Sequence, residues 1–414
     1  MRQLAGMAAL IVTASVVGVW RPQTGVAPAV VPPRSLVADS VASPSGPGSA
    51  EPNLSVGADG KAYLTWLEPA DSGFSLRFAV FDGARWSASR TIRTARDFFV
   101  NWADFPSMEA LTGGRLAAHW LQRTAHSSYA YGVRISESRD GGVTWSAPLI
   151  PHRDSSANEH GFVSLWRDGA SLGAVWLDGR KFGTAGHSPT NEMMLVTTTL
   201  GPSGALGKET RLDERTCDCC QTTVAMTAVG PIIAYRNRSA DEVRDIYVVR
   251  RVGGKWSTPA PVNNDNWHIA ACPVNGPAIA AAGNRVALAW FTAANDTPRV
   301  RVAFSTNGGE TFGSPIKVDD GSPAGRVDVV QLQDGSALVS WIERTGGEAA
   351  VVRARRVSTS GVAGAAYTIA TSSAARASGF PRMAVVKDNV LFAWTAPGKP
   401  STVRIARLSA AELR

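Results

Sequence analysis

Cysteine and histidine are scarce in this chain: 414 residues carry four of the first and six of the second. That excludes the dense disulfide framework of small secreted domains, which a chain of this length does not need to hold a core. Long apolar runs are scarce too. The one that could matter for a membrane, Leu4 to Trp20, follows Arg2 at the N-terminus and reads as a secretory signal. No clear A-x-A peptidase site follows it, so an uncleaved anchor is the alternative, and no cysteine follows it, which excludes a lipoprotein signal. "PQTGVAPAVVPP" is then a Pro-rich linker. The expected division is a targeting segment and linker over residues 1–33 and one folded unit over 34–414. An exported protein is expected, periplasmic or extracellular, with membrane attachment only through the N-terminal segment. Blocks of Lys and Arg interleaved with aromatics are also missing, despite a net charge of +8. No nucleic-acid partner is therefore expected, and the positive charge reads as scattered over the surface.

What the chain does have is repetition. Short strands with period-two alternation end at Trp66, Trp120, Trp176, Tyr235, Trp290, Trp341 and Trp394, recurring roughly every 50 residues. Each follows an apolar stretch and a turn, as in "PAIAAAGN", and precedes another alternating stretch, as in "VRVAFSTNGG". Four antiparallel strands per repeat is the pattern of a β-propeller blade. The expectation is an all-β propeller of seven four-stranded blades, with six as the alternative if one copy is an excursion. The last copy stops after "STVRIARL", short of its outer strand, while "RSLVADS" (Arg34 to Ser40) stands ahead of the first inner strand. That segment is expected to complete the last blade and close the ring, removing an exposed edge.

"SRDGGVTW", Ser138 to Trp145, fits the pattern S-x-D-x-G-x-T-W, and "STNGGETF", Ser305 to Phe312, fits it with Asn and Phe replacing Asp and Trp. On these motifs the chain resembles the sialidase-like, Asp-box (BNR-repeat) propellers. The box is a turn between third and fourth strands: its glycines permit the turn, its Asp bonds turn amides and its Trp packs beneath.

In an up-and-down blade, the Asp-box turns lie on one face of the disc. The loops after second strands, and those joining one blade to the next, lie on the other. This second face collects His152, His160, His187, His268 and His126, with "DERTCDCCQT" and "NNDNWHIAACP", and is where function is expected. His119 lies inside a strand and is expected to be packed. All four cysteines fall in two loops, Cys217, Cys219 and Cys220 in one and Cys272 in the other. Cys217 stands as far ahead of Tyr235 as Cys272 does of Trp290, so adjacent blades should bring them together between the fourth and fifth. Three readings follow: a disulfide joining Cys272 to one of the three, with room for a second pair within "CDCC"; a soft-metal site for copper or zinc, with His268 or His160 adding an imidazole; or a redox thiol pair, or a vicinal Cys219–Cys220 bridge.

The resemblance also implies an enzyme, a sialidase-type exo-glycosidase, with three arginines holding the substrate carboxylate, an acidic acid/base residue and a Tyr nucleophile assisted by Glu. Candidates are Arg180, Arg236 and Arg238 for the carboxylate, with Arg326 and Arg382 further afield. Asp178, Glu159 and Asp104 are the acid candidates, and Glu343 the partner of a tyrosine. The family's R-I-P motif is missing near the first blade, and its sialidases have six blades. The expectation is a binding propeller with a metal, small-molecule or anionic-glycan ligand, and the hydrolase as the alternative.

Overall fold

The computed structural model describes residues 39–182 and 192–413. Seven antiparallel sheets follow one another along the chain, as the seven aromatic anchors predict. The anchors sit on the second strand of each sheet: Ala62–Ala70, Leu116–Arg123, Ser171–Asp178, Gly230–Arg236, Arg285–Thr292, Ala337–Gly346 and Asn389–Ala396. All seven anchors are buried. They pack across blade boundaries, not only within a blade: Trp341 of blade 6 shares a core with Val300 and Val302 of blade 5. Burial of this kind makes truncation of a large aromatic cost about 3–5 kcal/mol.

The ring closes as a shared blade. Asp39–Val41 pairs with Thr402–Ser409 in the register Asp39 to Arg407 and Val41 to Ile405. The paired residues lie a few positions beyond the centre of the predicted segment; Leu36 and Val37 are outside the described residues. The chain then latches the first blade to the last through Gly48 N–H to Ser401 O (2.8 Å) and Val403 N–H to Ser49 Oγ (2.9 Å). Two blades depart from four regular strands. Blade 2 has three, and an isolated bridge between Ile135 and Leu149 stands where the outer strand would be. Pro148 cannot donate to a ladder there. In blade 4 the outer position is split between Lys255–Trp256 and Ala260–Pro261.

The Asp box behaves as its sequence suggests. Asp140 Oδ1 accepts from Val143 N–H (3.0 Å) and Thr144 N–H (2.9 Å), and Ser138 Oγ accepts from Gly142 N–H (2.8 Å). Asn307 repeats the bond to Thr311 N–H at 3.0 Å. Trp145 stands edge-on to Phe78 of blade 1, with centroids 5.9 Å apart, so the turn of one blade is seated on its neighbour.

Candidate metal centre and the pocket beside it

Cys217, Cys219 and Cys220 occupy the link between Thr210–Thr216 of blade 3 and Thr223–Thr227 of blade 4; Cys272 occupies the link between blades 4 and 5. The repeat phase predicted this convergence. Cys217 N–H bonds Arg236 O at 3.0 Å, and Gln221 ties the two loops together: its Nε2 donates to Ala103 O (2.6 Å) and its Oε1 accepts from Gly276 N–H (3.0 Å).

All four cysteines are free thiols. Cys217 Sγ lies 3.2 Å from Cys220 Sγ and 3.7 Å from Cys219 Sγ. Among the described residues, two sets of potential ligand atoms lie within 4.8 Å of one another: Cys217, Cys219 and Cys220, and Asp218, Cys219 and Cys272. Cys219 belongs to both. His268 belongs to neither; it is exposed and bridges to Val243 through its backbone.

Arg244, which sequence reasoning passed over, sets the charge of the cluster. Its Nη1 lies 3.4 Å from Cys217 Sγ and 3.5 Å from Asp218 Oδ1, and its Nη2 donates to Glu242 Oε2 at 2.8 Å. Burial opposes ionisation of Cys217, but its hydrogen bonds with Cys219 and Cys220, together with the Arg244 guanidinium, outweigh it and hold this thiol well below its ordinary range. Cys219 and Cys220 are pushed the other way by burial and by their bonds to Cys217. Cys217 is thus the sulfur of the cluster that gives up its proton most readily. Burial also works against Glu242, yet Arg238 and Arg244 hold its carboxyl down at about 2.

The cluster forms one wall of a pocket of about 600 Å³ on the loop face. Asp218, Cys219, Cys272, Arg238 and Arg244 line it together with Trp102, Tyr131, Glu159 and Arg376. Tyr131 stacks on Phe99 with centroids 3.7 Å apart, donates a short hydrogen bond to Glu159, and lies 3.3 Å from Asp104 Oδ2. Burial and the neighbouring Glu159 raise the Asp104 carboxyl well above its usual range. Tyr131 was not singled out by the sequence, because no motif sets it beside Glu159. The first strands of the blades surround a separate polar cavity of about 190 Å³, with Asn53, Ser107, Ser164, Thr223 and Arg382 on its wall.

Of the arginine candidates, Arg238 lines the pocket beside the cysteines, whereas Arg180 and Arg236 do not. Arg180 forms a two-pronged pair with Asp178 (Nε to Oδ1 2.7 Å, Nη2 to Oδ2 2.6 Å) and reaches Glu209 at 2.7 Å. Arg238 is buried and paired with Glu242 at 2.6 Å. Arg236 is 1% exposed and spends its guanidinium on carbonyls: Asn275 O (2.7 and 3.0 Å), Phe291 O (2.7 Å) and Arg244 O (2.6 Å), over the Trp267 ring at 4.9 Å. It holds the loop beyond Cys272 against blade 4 and does not line the pocket. Asp178 and Glu343 accept from the indoles two residues earlier, Trp176 Nε1 (2.9 Å) and Trp341 Nε1 (2.6 Å). Glu343 thus partners a tryptophan, not a tyrosine.

The histidines divide similarly. His119 is buried, bonded to Ser107 (2.8 Å), and burial depresses its imidazole to about 3, as its strand position predicts. His152 and His160 stack with centroids 4.0 Å apart, and His160 Nε2 lies 3.1 Å from Asp154 Oδ2. His187 is outside the described residues.

No protein-family profile and no curated protein sequence matches the chain. Solved structures do. A protein of unknown function from Dyadobacter fermentans DSM 18053 is similar over 92% of this chain and 100% of its own, at TM-score 0.53 and 14% identity. The GH93 α-L-arabinofuranosidase of Fusarium graminearum, in complex with arabinobiose, is similar over 92% of this chain and 99% of its own, at TM-score 0.50 and 14% identity. A mutant of the NanB sialidase from Streptococcus pneumoniae aligns over 92% of this chain and 94% of its own, at TM-score 0.47 and 10% identity. At these identities the likeness is one of fold, and function has to be argued from the site.

Proposed function

We propose that this propeller is an exported binding protein that takes up a soft metal ion, of the copper(I) class, on Cys217, Cys219 and Cys220. One observation carries the reading: three thiol sulfurs from one tight loop converge within 4.8 Å. Thiolate sulfur selects soft and borderline ions, so copper(I) is favoured and zinc is the runner-up. The fold supplies the rest. Gln221 fixes the loop, burial excludes water from Cys217 and Cys220, and Arg244 offsets part of the negative charge that three thiolates bring. A stapling role is the weaker account, since one disulfide adds about 2–4 kcal/mol to a ring already closed by a shared blade.

The test is thiol titration of the native protein with elemental analysis of the same sample. Reduced protein is expected to bind metal stoichiometrically and to lose it in a Cys217→Ser, Cys219→Ser variant. Four unreactive cysteines without metal would leave a stapled loop.

A second reading, a sialidase-type exo-glycosidase, is favoured by the contact of Tyr131 with Glu159 beside Asp104, since the family resemblance implies a Tyr–Glu pair. Arg238 and Arg244 line the pocket but are paired with Glu242, and Arg236 and Arg180 are bound to carbonyls and to Asp178, which weighs against a free arginine set for a substrate carboxylate. Sialoside hydrolysis that disappears in Tyr131→Phe would establish this reading; no turnover would remove it.

A further inference from the structure

The four cysteines do not form one symmetrical site. They form two overlapping ones, and the overlap has a direction. The inner set, Cys217, Cys219 and Cys220, has two buried members; the outer set, Asp218, Cys219 and Cys272, has one exposed member and none fully buried. Cys272 Sγ lies 3.4 Å from Asp218 Oδ1, and Asp218, Cys219 and Cys272 all face the 600 Å³ pocket. Cys217 and Cys220 do not line it. An ion arriving from solvent therefore meets Cys272 and Asp218 first and reaches Cys217 and Cys220 only past Cys219.

The two donor sets also differ in strength for a soft ion. The outer set offers two sulfurs and a hard carboxylate; the inner offers three sulfurs. Arg244 touches both, 3.4 Å from Cys217 Sγ and 3.5 Å from Asp218 Oδ1. It is 4% exposed although it reaches the pocket wall, so its charge is poorly screened by water at both sets.

Building on the metal reading of this cluster, we propose that the cysteines act as a two-station relay: Cys272 and Asp218 capture the ion from a thiolate carrier, and Cys219, common to both stations, passes it to Cys217 and Cys220 for retention. The step is ligand exchange at constant oxidation state. The bonds from metal to Cys272 and Asp218 break as bonds to Cys217 and Cys220 form. In capture the carrier's bonds to the ion break and its thiolates take up the protons of Cys272 and Cys219. In transfer the Cys220 thiol gives up one proton to solvent, Cys217 entering as the thiolate, and Cys272 regains one. No electron is transferred and no oxidant is needed. Cys219 stays bonded throughout, so the ion is never released between stations.

The relay separates capture from retention, and the test does the same. Copper(I) supplied as its glutathione complex is mixed with the reduced full-length protein, and both the loading rate and the final stoichiometry are read. Cys272→Ser is expected to keep the wild-type stoichiometry while loading about ten-fold more slowly or worse, and Asp218→Asn to slow it less. Cys220→Ser is expected to keep the fast first phase but to surrender the ion to a competing chelator at about 100-fold lower concentration. Cys272 is exposed, so its serine variant should fold; circular dichroism confirms that before the rates are compared. Wild-type loading speed in Cys272→Ser would overturn the relay, as would loss of stoichiometric metal, which would make Cys272 a permanent ligand. In both cases the wild type still binds metal, so the relay fails while the metal reading stands. A wild type that takes up no copper(I) overturns both.

Discussion

Gly276 passes so close to Gln221 that a Cβ on it would lie 2.2 Å from the Gln221 carbonyl oxygen and 2.7 Å from its amide nitrogen. Both obstacles are backbone, so neither can swing aside. The contact holds the loop of Cys272 against the loop of the other three cysteines. Gly276→Ala is therefore expected to cost about 1–3 kcal/mol of stability by overpacking and to separate Cys272 from Cys219. Thermal unfolding reads the first effect, and the loading rate of copper(I) the second. Unchanged values in both would show that the loops are not held by this contact.

The repeat, its seven anchors and the meeting of the two cysteine loops were legible because each depends on sequence period alone. Asp178, a candidate acid, and Glu343, a candidate partner of a tyrosine, pair with indoles for a local reason. In a strand, residues two apart share a face, so an acid two places after a buried tryptophan sits beside its indole N–H. "WLE" at Trp66, "WLD" at Trp176 and "WIE" at Trp341 all do this, with Glu68 Oε2 2.8 Å from Trp66 Nε1. The pattern was present in the sequence as a signal of structural pairing. The part played by Arg236 was not legible, because its acceptors are main-chain carbonyls of Asn275 and Phe291, far along the chain. Nor was Tyr131 beside Glu159, whose meeting is set by the packing of blade 2 on blade 3.

Removing Arg236 leaves the Asn275, Phe291 and Arg244 carbonyls without that partner. Arg236→Ala is expected to cost about 3–5 kcal/mol in denaturant unfolding. Arg236→Lys should recover only a fraction, because an ammonium lacks the planar fork that spans these acceptors. A loss below about 1 kcal/mol in the alanine variant would contradict a structural role.

The Asp-box turn separates two costs of replacing glycine. Gly141 has φ 70° and open space where a Cβ would go, whereas Gly142 has φ 87° and would set a Cβ 2.3 Å from Phe78 Cζ. Gly141→Ala should cost about 1 kcal/mol, the backbone term alone. Gly142→Ala should cost about 2–4 kcal/mol, because the clash adds to it. Equal costs in chemical denaturation would mean that the turn does not rest on its neighbour.

Two buried histidines give stability a defined pH dependence. Burial lowers His119 to about 3, and burial together with His160 lowers His152 to about 4, against about 6.5 in the unfolded chain. Between these values the unfolded state binds more protons than the folded one, so stability rises with pH and is lost as pH falls below about 6.5. Asp104 acts oppositely: its raised carboxyl adds stability at low pH, which is lost as pH rises through its folded value. His119→Asn is expected to flatten the acid limb of a plot of unfolding free energy against pH by up to about one proton. An unchanged slope would mean that His119 titrates normally in the folded protein.

Arg244 is expected to decide the protonation of the cysteine cluster before any metal arrives. With Arg244 3.4 Å from Cys217 Sγ, and the Cys219 and Cys220 thiols hydrogen-bonded to the same sulfur, the reduced apoprotein should carry one thiolate at neutral pH. Arg244→Gln removes the charge but keeps a hydrogen-bond donor, so the Cys217 thiol should rise toward its ordinary value. The ultraviolet absorbance of the thiolate, followed against pH in the metal-free protein, reads this directly. Wild type should retain its thiolate absorbance to lower pH than Arg244→Gln, in which part of it should be lost. Arg244→Lys should fall between them, since it restores the charge without the fork. Binding to three thiolates should then release about two protons in the wild type and about three in the glutamine variant, so metal affinity should fall more steeply with acid in the variant. Identical absorbance curves for the three proteins would mean that Arg244 belongs to Glu242 alone.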